Sequence, residues 1–594
     1  MALSEFRAHL RFFLPVLFYH LCSHFWPCVF GDNSSAGGHI EVQSVSVEVN
    51  GLQSIAAVDE SFICATLDWW PPQKCDYGSC SWGNASILNL DLQNPILQSA
   101  VKALSPLMIR LGGTLQDRVI YDVGNIQRPC RPLIPGEGLF NYVEGCLSLR
   151  RWQALNEFFQ KTGSIVAFGL NALYGRHLIG RTFSGSWDSS NAQEFIQYTF
   201  NKSYQILAWE LGNELSTPGV GGSIPTSQYA RDIKKLRAIV DGIYKTSSIK
   251  PLIGAPDGFF NARSYQQLLQ LSGPRTLDVC TRHIYNLGPV FGKLHATFKL
   301  AALFEEKTTC KLQRAGSLHA QRVDKNLVNK ILNPFYLSKE AGAFKLVQQT
   351  LLKYGPWAHA WIGEAGGAYN SGRNLVSNAF VSSFWYVDQL GMAAQFNNKA
   401  YCRQSLIGGN YGLLDTNTFH PNPDYYSALL WKKLMGKVVL SASLLTHAPY
   451  LRAYAHCSTD DPKSIAIVLI NLSTIIQFEV DLLLSISGVT SISSSRQMMY
   501  ISGVLGGKIK SGEALLSEER LEYHLTAPKG NDVQSRIVLL NGEALHVTPE
   551  NKIPVMAPIK ADNMKPIVVA PLSIVFAVVS AVGIPACSET LCKN

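Results

Sequence analysis

Between about residues 60 and 400, short apolar runs alternate eight times with helix-like segments. The apolar runs, each read as a strand, are Ser61–Leu67, Leu107–Gly112, Ser164–Leu170, Ile206–Leu211, Leu252–Ala255, Asp278–Tyr285, Trp361–Glu364 and Met392–Phe396. The intervening helical stretches include Asn94–Leu104, Arg150–Lys161, Ser227–Thr246, Ala262–Leu271 and Ala341–Leu352. This alternation predicts an α/β fold, a (β/α)₈ TIM barrel in which parallel strands close on themselves and helices surround them.

A different pattern begins near residue 437, where turn residues separate short strands. These strands are Val438–Ala442, Leu451–Ala455, Ile465–Asn471, Gln477–Leu482, Gln497–Ile501, Val538–Leu540 and Ile567–Val578. They predict a C-terminal antiparallel β-sandwich domain. Residues 40–58 alternate apolar and polar with period two, which predicts an N-terminal strand that joins this sandwich. We therefore expect a strand at 40–58, a barrel at 60–436, a sandwich at 437–580 and a tail at 581–594.

The N-terminal residues 1–31 have the features of a secretory signal peptide, because Arg7 and Arg11 precede the apolar stretch Phe12–Phe18. Sequons for N-glycosylation stand at Asn33, Asn84, Asn201 and Asn471. Together they predict a secreted glycoprotein, extracellular or in a cell wall, with lysosomal or vacuolar delivery as the alternative. The apolar run Ile567–Pro585 favours a buried final strand but leaves peripheral membrane association open.

Cysteine usage and charge exclude some functional classes. Of 13 cysteines, Cys22 and Cys28 would leave with the signal peptide, so 11 remain and disulfides are expected. We expect neither a metal nor another cofactor, since no His/Cys cluster has zinc spacing. The net charge of +9 is interpreted as a contribution to solubility, because no Lys/Arg cluster is dense enough for nucleic acid. A low charged fraction with 11 Trp and 23 Tyr suits carbohydrate binding.

Two of the predicted strands end in a glutamate. Trp209–Glu214 presents Asn213 and Glu214 after a glycine, and His359–Glu364 ends in Gly-Glu. The C-terminal ends of barrel strands face one pocket, and glycoside hydrolysis needs two carboxylates across such a pocket. The pair predicts a retaining glycosidase; carboxyl groups about 5–5.5 Å apart would indicate retention and about 6.5–9.5 Å inversion. Glu210, four residues earlier, is expected to pair with Arg110 or another cation of the barrel floor.

Several stretches, taken in order, resemble glycoside hydrolase family 79, specifically its plant heparanase-like β-glucuronidases. They are Arg110–Asp117, Trp209–Glu214, His283–Tyr285, Trp361–Asn370, Gly408–Tyr411 and Asn422–Tyr426. The resemblance implies double displacement with Glu214 as acid/base and Glu364 as nucleophile. The substrate-binding residues it implies are Asp68, Thr114, Asn213, His283, Tyr285 and Tyr411. Asn213 would bind the sugar 2-hydroxyl and Tyr411 the uronate carboxylate.

Purely structural roles remain alternatives for some of these residues. Asp68 and Thr114 could equally be loop caps, Asn213 could serve strand-end hydrogen bonding, and His283 could be structural. The expected partner is a glycan or glucuronide that carries glucuronic acid, and the protein is expected to be a monomer. Other possibilities are a related β-glycosidase acting on a glucoside, xyloside or arabinofuranoside, and a non-catalytic glycan-binding wall protein.

The chain also departs from the family pattern. The loop Asn370-Ser371-Gly372 has less glycine than in the animal enzymes, and no dense basic clusters flank the expected cleft. Both points favour exo action on plant glycans or glucuronides. Arg118–Arg150 is too short to hold the excised linker of the animal enzymes, so a single chain is expected. Val290–Arg322 is an atypical insertion with six Lys/Arg, two Glu and Cys310; it is either a gene-model artefact or a loop that could obstruct the cleft.

Overall fold

The computed structural model describes residues 40–588 except for 77, 125–128, 217–219, 290–323, 325, 462, 487–488, 494–515 and 582–583. The expectations for the signal peptide, Asn33, the insertion at 290–322 and the strand Gln497–Ile501 lie outside these residues. From Glu41 onward the chain forms one unit. Its first strand, β1 (Glu41–Ala57), belongs to the C-terminal sheet and not to the barrel.

Eight parallel strands close into the predicted barrel, which is confirmed. They are β2 (Ile63–Asp68), β3 (Met108–Gly112), β4 (Ile165–Leu170), β5 (Ala208–Leu211), β6 (Leu252–Phe259), β7 (Val279–Ile284), β8 (His359–Ala365) and β9 (Asn398–Arg403). Side chains such as Met108, Ala167 and Trp361 form a separate core within the strands. The barrel is therefore a packed core, and its functional surface is the C-terminal face.

Helices connect the strands and cover them. They are α1 (Pro95–Ala103), α2 (Leu149–Thr162), α3 (Ser190–Asn201), α4 (Thr226–Ile243), α5 (Ala262–Ser272), α6 (Leu327–Ile331), α7 (Pro334–Leu337), α8 (Lys339–Tyr354), α9 (Phe380–Gln395) and α10 (Pro423–Leu434). The predicted α1 begins where expected because the Asn94 side chain accepts hydrogen bonds from the backbone N–H groups of Ile96 and Leu97. None of the helices within the described residues combines the length and apolarity needed to cross a bilayer.

The eighth predicted strand is wrong. Met392–Phe396 lies at the C-terminal end of α9, and the strand that closes the barrel is β9, a few residues later. Every residue of α9 from Phe380 to Ala394 is buried, because the helix is covered on all sides. Gly391, for example, lies directly against the ring of Tyr454 from the C-terminal sheet.

The C-terminal strands form one twelve-stranded sheet that includes β1. They are β10 (Met435–Leu444), β11 (Leu451–Ser458), β12 (Ser464–Asn471), β13 (Ile476–Ile486), β14 (Val489–Ser493), β15 (Leu516–Thr526), β16 (Leu539–Leu540), β17 (Glu543–Ala544), β18 (Ile559–Asp562), β19 (Ile567–Val569) and β20 (Ser573–Ala581). One face encloses its own apolar core, and residues of the other face, such as Val468 and Phe576, join the core of the barrel. The predicted sandwich with its N-terminal strand is thus confirmed. It is not purely antiparallel, since β1 pairs with β10 antiparallel and with β13 parallel.

Four disulfides form among the described residues. They are Cys64–Cys402, Cys75–Cys80, Cys130–Cys146 and Cys457–Cys587. The first joins β2 to β9 and so links the first and last strands of the barrel. The last ties part of the predicted tail, a short helix α11 (Pro585–Ser588), to β11. Cys280 is a buried free thiol.

Candidate active site

Glu214 and Glu364 face each other at the C-terminal face of the barrel. Glu364 lies within β8, and Glu214 follows β5 by three residues. One oxygen of each carboxylate and a ring nitrogen of His283 all lie within 4.8 Å of one another. The side chains are 14% and 9% exposed, so both can be reached from the mouth of the barrel.

The turn after β5 fixes the position of Glu214. Gly212 has φ +73°, and Glu214 itself has φ +58°, a left-handed conformation that is rare for a residue with a side chain. The Glu214 N–H donates to the carbonyl oxygen of Asp257 at 2.7 Å. A Cβ at Gly258 would lie 3.1 Å from the Glu214 Cα, so a glycine there allows β6 and this turn to approach closely.

Arg110, fully buried in β3, holds the acidic side chains together. Its Nε donates to Glu210 Oε2 at 2.9 Å, as predicted for that carboxylate. Its Nη1 donates to Glu364 Oε2 at 3.0 Å, and its Nη2 donates to Asn213 Oδ1 at 2.9 Å and to Asp257. The planar guanidinium thus spans four strand ends with a rigid set of donors.

A second chain of contacts runs from Asp257 to the glutamate pair. His283 Nε2 lies 3.0 Å from Asp257 Oδ1, and its Nδ1 lies 2.8 Å from Glu214 Oε1. The hydroxyl of Tyr285 donates to Glu364 Oε1 at 2.5 Å. The glutamate pair is therefore connected to the rest of the network through a hydrogen bond of His283 to Glu214 and one of Tyr285 to Glu364.

Asp257 and His283 both have pKa values shifted toward the charged form of their side chains. Burial alone would raise the pKa of Asp257, but Arg110 and His283 hold it down at about 2. Burial alone would lower the pKa of His283, but the carboxylates of Glu364 and Asp257 raise it to about 10. Asp257 is therefore an anion between two cations at neutral pH.

Three other carboxyl groups have raised pKa values. Burial raises the pKa of Glu214, although the hydrogen bond and the charge of His283 oppose part of that rise. Burial, with the charge of Asp257, raises the pKa of Glu210 to about 8. Burial and then the charge of Glu364 raise the pKa of Asp68 to about 8. Groups whose environments separate their pKa values in this way can divide acid and base roles.

The wall opposite β6 carries Asp68, Gln404 and Tyr411. Asp68 lies at the end of β2 and accepts a hydrogen bond from Gln404 Nε2 at 2.6 Å. Gln404 Nε2 also lies 3.5 Å from the Tyr411 hydroxyl. Thr114 lies half-buried at the start of a 3₁₀ turn (Thr114–Arg118) after β3. Sequence reasoning missed Gln404, Asp257 and the contact of Arg110 with Glu364.

Two groups of side chains among the described residues bring potential metal ligands together. Glu214, His283 and Glu364 lie close together, but both ring nitrogens of His283 already contact carboxylates. The second group contains Cys130 and Cys146, which form a disulfide.

Three of the predicted glycosylation sites lie within the described residues. Asn84 and Asn201 are exposed, so glycans there remain a prediction. Asn471 is fully buried, and its Nδ2 donates to the carbonyl oxygens of Ile476, Val569 and Ala570. A glycan on Asn471 is incompatible with this fold, because it would break those bonds and has no space.

The closed barrel, with paired carboxylates at its C-terminal face, is the architecture of a glycoside hydrolase. The chain belongs to family 79 of this class: it matches "Glycosyl hydrolase family 79, N-terminal domain" over residues 44–314 and 316–391. It is 45% identical to heparanase-like protein 2 of Arabidopsis thaliana over 570 residues, 95% of this chain and 97% of that protein. It is 38% identical to the baicalin-β-D-glucuronidase of Scutellaria baicalensis over 553 residues, 90% and 92% of the two chains. A GH51 arabinofuranosidase from Xanthomonas axonopodis pv. citri shares the fold (TM-score 0.56, 14% identity, covering 90% of this chain and all of that one).

Proposed function

We propose that the protein is a retaining β-glucuronidase in which Glu364 is the nucleophile and Glu214 the acid/base. The observation that carries this proposal is the approach of the two carboxylates to within 4.8 Å. Retaining glycosidases hold their carboxyl groups about 5–5.5 Å apart, whereas an inverting enzyme needs room for a water molecule between the sugar and its base.

In the first step a Glu364 oxygen attacks the anomeric carbon while the bond from that carbon to the leaving oxygen breaks. Glu214 gives its proton to the leaving oxygen. In the second step Glu214 takes a proton from water, the water oxygen bonds to the anomeric carbon, and Glu364 is released. The raised pKa of Glu214 suits the first step, because an acid must hold its proton near the working pH.

The surroundings of Glu364 suit a nucleophile whose position is fixed by hydrogen-bond donors. Both of its oxygens accept hydrogen bonds, one from Arg110 at 3.0 Å and one from Tyr285 at 2.5 Å. Donors fixed by the fold stabilise the charge without reorganisation during the reaction. Asn213, whose Oδ1 is held by Arg110, keeps its amide N–H groups without a partner among the described residues. They are available for the sugar 2-hydroxyl.

The sugar is inferred from the relatives and from the wall at Asp68, Gln404 and Tyr411. One relative is named baicalin-β-D-glucuronidase, and other relatives are named heparanases. Tyr411, 4% exposed and facing the glycines of the loop after β8, is our candidate for the uronate carboxylate.

Aryl glycosides test both the sugar and the roles. We expect hydrolysis of 4-nitrophenyl β-glucuronide with a β-configured first product in proton NMR, and no comparable rate on the glucoside, xyloside or arabinofuranoside. Glu364→Gln should abolish the activity, whereas Glu60→Gln, an exposed glutamate remote from the mouth, should not change it. Azide should rescue Glu214→Ala with a β-glycosyl azide product and Glu364→Ala with an α product. Full activity of Glu364→Gln, or an α-configured first product, would contradict the proposal.

We further propose that the protein is secreted. The disulfides and the exposed sequon residues Asn84 and Asn201 support this. Expression in plant cells with and without residues 1–31 tests it: only the full chain should reach the medium, and retention of both would refute secretion.

A further inference from the structure

Phe259 is an exposed aromatic residue at the mouth of the barrel. It ends β6, and it is 39% exposed while the six preceding residues of the strand are buried. Its ring centroid lies 6.3 Å from that of Tyr285 and 6.4 Å from that of His283. These are the two residues that contact Glu214 and Glu364, so one side chain separates the Phe259 ring from each catalytic glutamate.

The position of Phe259 in the barrel places it on the leaving-group side. β6 and β2 are four strands apart in a barrel of eight, so Phe259 lies across the mouth from Asp68 on β2. Gly258, next to Phe259, is packed against the backbone of Glu214. If the sugar ring occupies the wall at Asp68 and Tyr411, the group protonated by Glu214 leaves toward Phe259.

The surface beyond Glu214 carries exposed apolar side chains together with charged ones such as Arg118, Glu144 and Arg176. The loops after β3, β4 and β5 frame a cleft of about 700 Å³. Phe140 and Leu178 line it and are 43% and 53% exposed. Its floor includes Asp117, which accepts a hydrogen bond from the backbone N–H of Asn213 at 2.8 Å. The cleft and the catalytic turn therefore share one wall.

We propose that Phe259 is the binding surface for the aglycone and selects an aromatic aglycone over a sugar. The inference rests on the proposed function, since it assigns Glu214 as the acid. Phenylalanine offers a ring face and edge but no hydrogen-bonding group, so it can pack on a planar aromatic ring. Its ring could also pack on the C–H face of a sugar, but it offers no partner for the sugar hydroxyl groups, so a planar aromatic ring is the better fit.

Substrates that differ only in the leaving group test the assignment. We expect Phe259→Ala to lower kcat/KM on 4-methylumbelliferyl β-glucuronide about tenfold. The same variant should hydrolyse β-glucuronosyl fluoride, which has no aglycone to bind, within about twofold of wild type. Phe259→Tyr should keep the activity, and Phe259→Leu should fall between. Ile249→Ala is the control, an exposed apolar residue just before the opposite end of the same strand.

Three results would overturn the inference. An equal loss on the fluoride would mean that Phe259 acts through Tyr285 or His283. No loss on either substrate would mean that the aglycone does not touch it. Wild type could instead prefer a glucuronosyl-galactose disaccharide to the methylumbelliferyl glucuronide, with that preference lost in Phe259→Ala. This result would mean that Phe259 binds a sugar in the leaving group.

Parallel assays separate this inference from the proposed function. If wild type cleaves the methylumbelliferyl glucoside and not the glucuronide, the sugar assignment fails, and the effect of Phe259→Ala is measured on the glucoside. If neither is cleaved, titration calorimetry with phenyl 1-thio-β-glucuronide decides. Binding that is not weakened in Phe259→Ala would then refute the aglycone site.

Discussion

Replacing His283 by glutamine should move the alkaline limit of activity to higher pH. The His283 ring, with a pKa near 10, is charged below about pH 9, and its Nδ1 lies 2.8 Å from Glu214 Oε1. A unit charge about 4 Å from the centre of a carboxylate contributes about 4 kcal/mol at an effective dielectric constant of about 20, or about 3 pKa units. Glutamine can still donate a hydrogen bond, and Glu214 is partly exposed, so we expect a rise of about 1–3 units in the pKa of Glu214.

The assay is kcat/KM for phenyl β-glucuronide between about pH 4 and 10, since this profile reports the acid of the free enzyme. β-Glucuronosyl fluoride serves as the control, because its leaving group needs little protonation and its profile should lack the alkaline limb. Circular dichroism and the thermal midpoint show whether the variant folds. An alkaline limb that stays in place or moves to lower pH would refute the electrostatic role of His283.

Three further predictions concern single contacts. Tyr285→Phe removes the donor to Glu364 and should lower kcat/KM about 10–100-fold with an unchanged circular dichroism spectrum; an undiminished rate would mean the bond does not matter in the transition state. Changing Cys64 and Cys402 to serine together removes a disulfide between residues 338 apart in sequence. Chain entropy sets an upper estimate of about 6 kcal/mol for the resulting loss in the free energy of unfolding. The urea midpoint should fall, and an unchanged midpoint would contradict this. Burial lowers the pKa of His456 to about 4, so below about pH 6.5 the unfolded chain binds a proton at this residue that the folded chain does not. About 3 kcal/mol of stability should therefore be lost as the pH falls from about 6.5 to 4. His456→Gln should flatten that slope in urea titrations, and an equal slope in both proteins would assign it to other groups.

The part of the barrel that could be predicted is the part where periodicity is visible. Helices such as α2 and α5 have one buried and one exposed face, so their bounds agree with the sequence to within a residue or two. α9 has no exposed face, and its apolar run Met392–Phe396 is indistinguishable from a buried strand by pattern alone. The sequence of the actual strand β9, Asn398–Arg403, looks too polar for a buried strand. Its Arg403 can nevertheless be buried because it pairs with Asp424.

Only those residues of the site that lie in a recognisable local motif could be predicted from the sequence. Glu214 follows a short apolar strand and Glu364 lies near the end of another, and the match to the family motif singled out His283 and Tyr285. Asp257 follows Pro256 in a stretch that reads as a turn, although β6 continues through it to Phe259. Its contacts come from residues 147 and 26 positions away in sequence, and no local pattern records such distances.

The placement of β1 between β10 and β13 has a consequence for how the chain is made. A ribosome delivers residue 41 long before residue 435 exists, so β1 remains without its partner strands through synthesis of the whole barrel. A fragment truncated after the last barrel helix would lack both strands that pair with β1. The exposed edges of β1 would then favour aggregation. Recombinant fragments should therefore keep the two ends of the described chain together, and chaperones that shield extended segments should raise the yield.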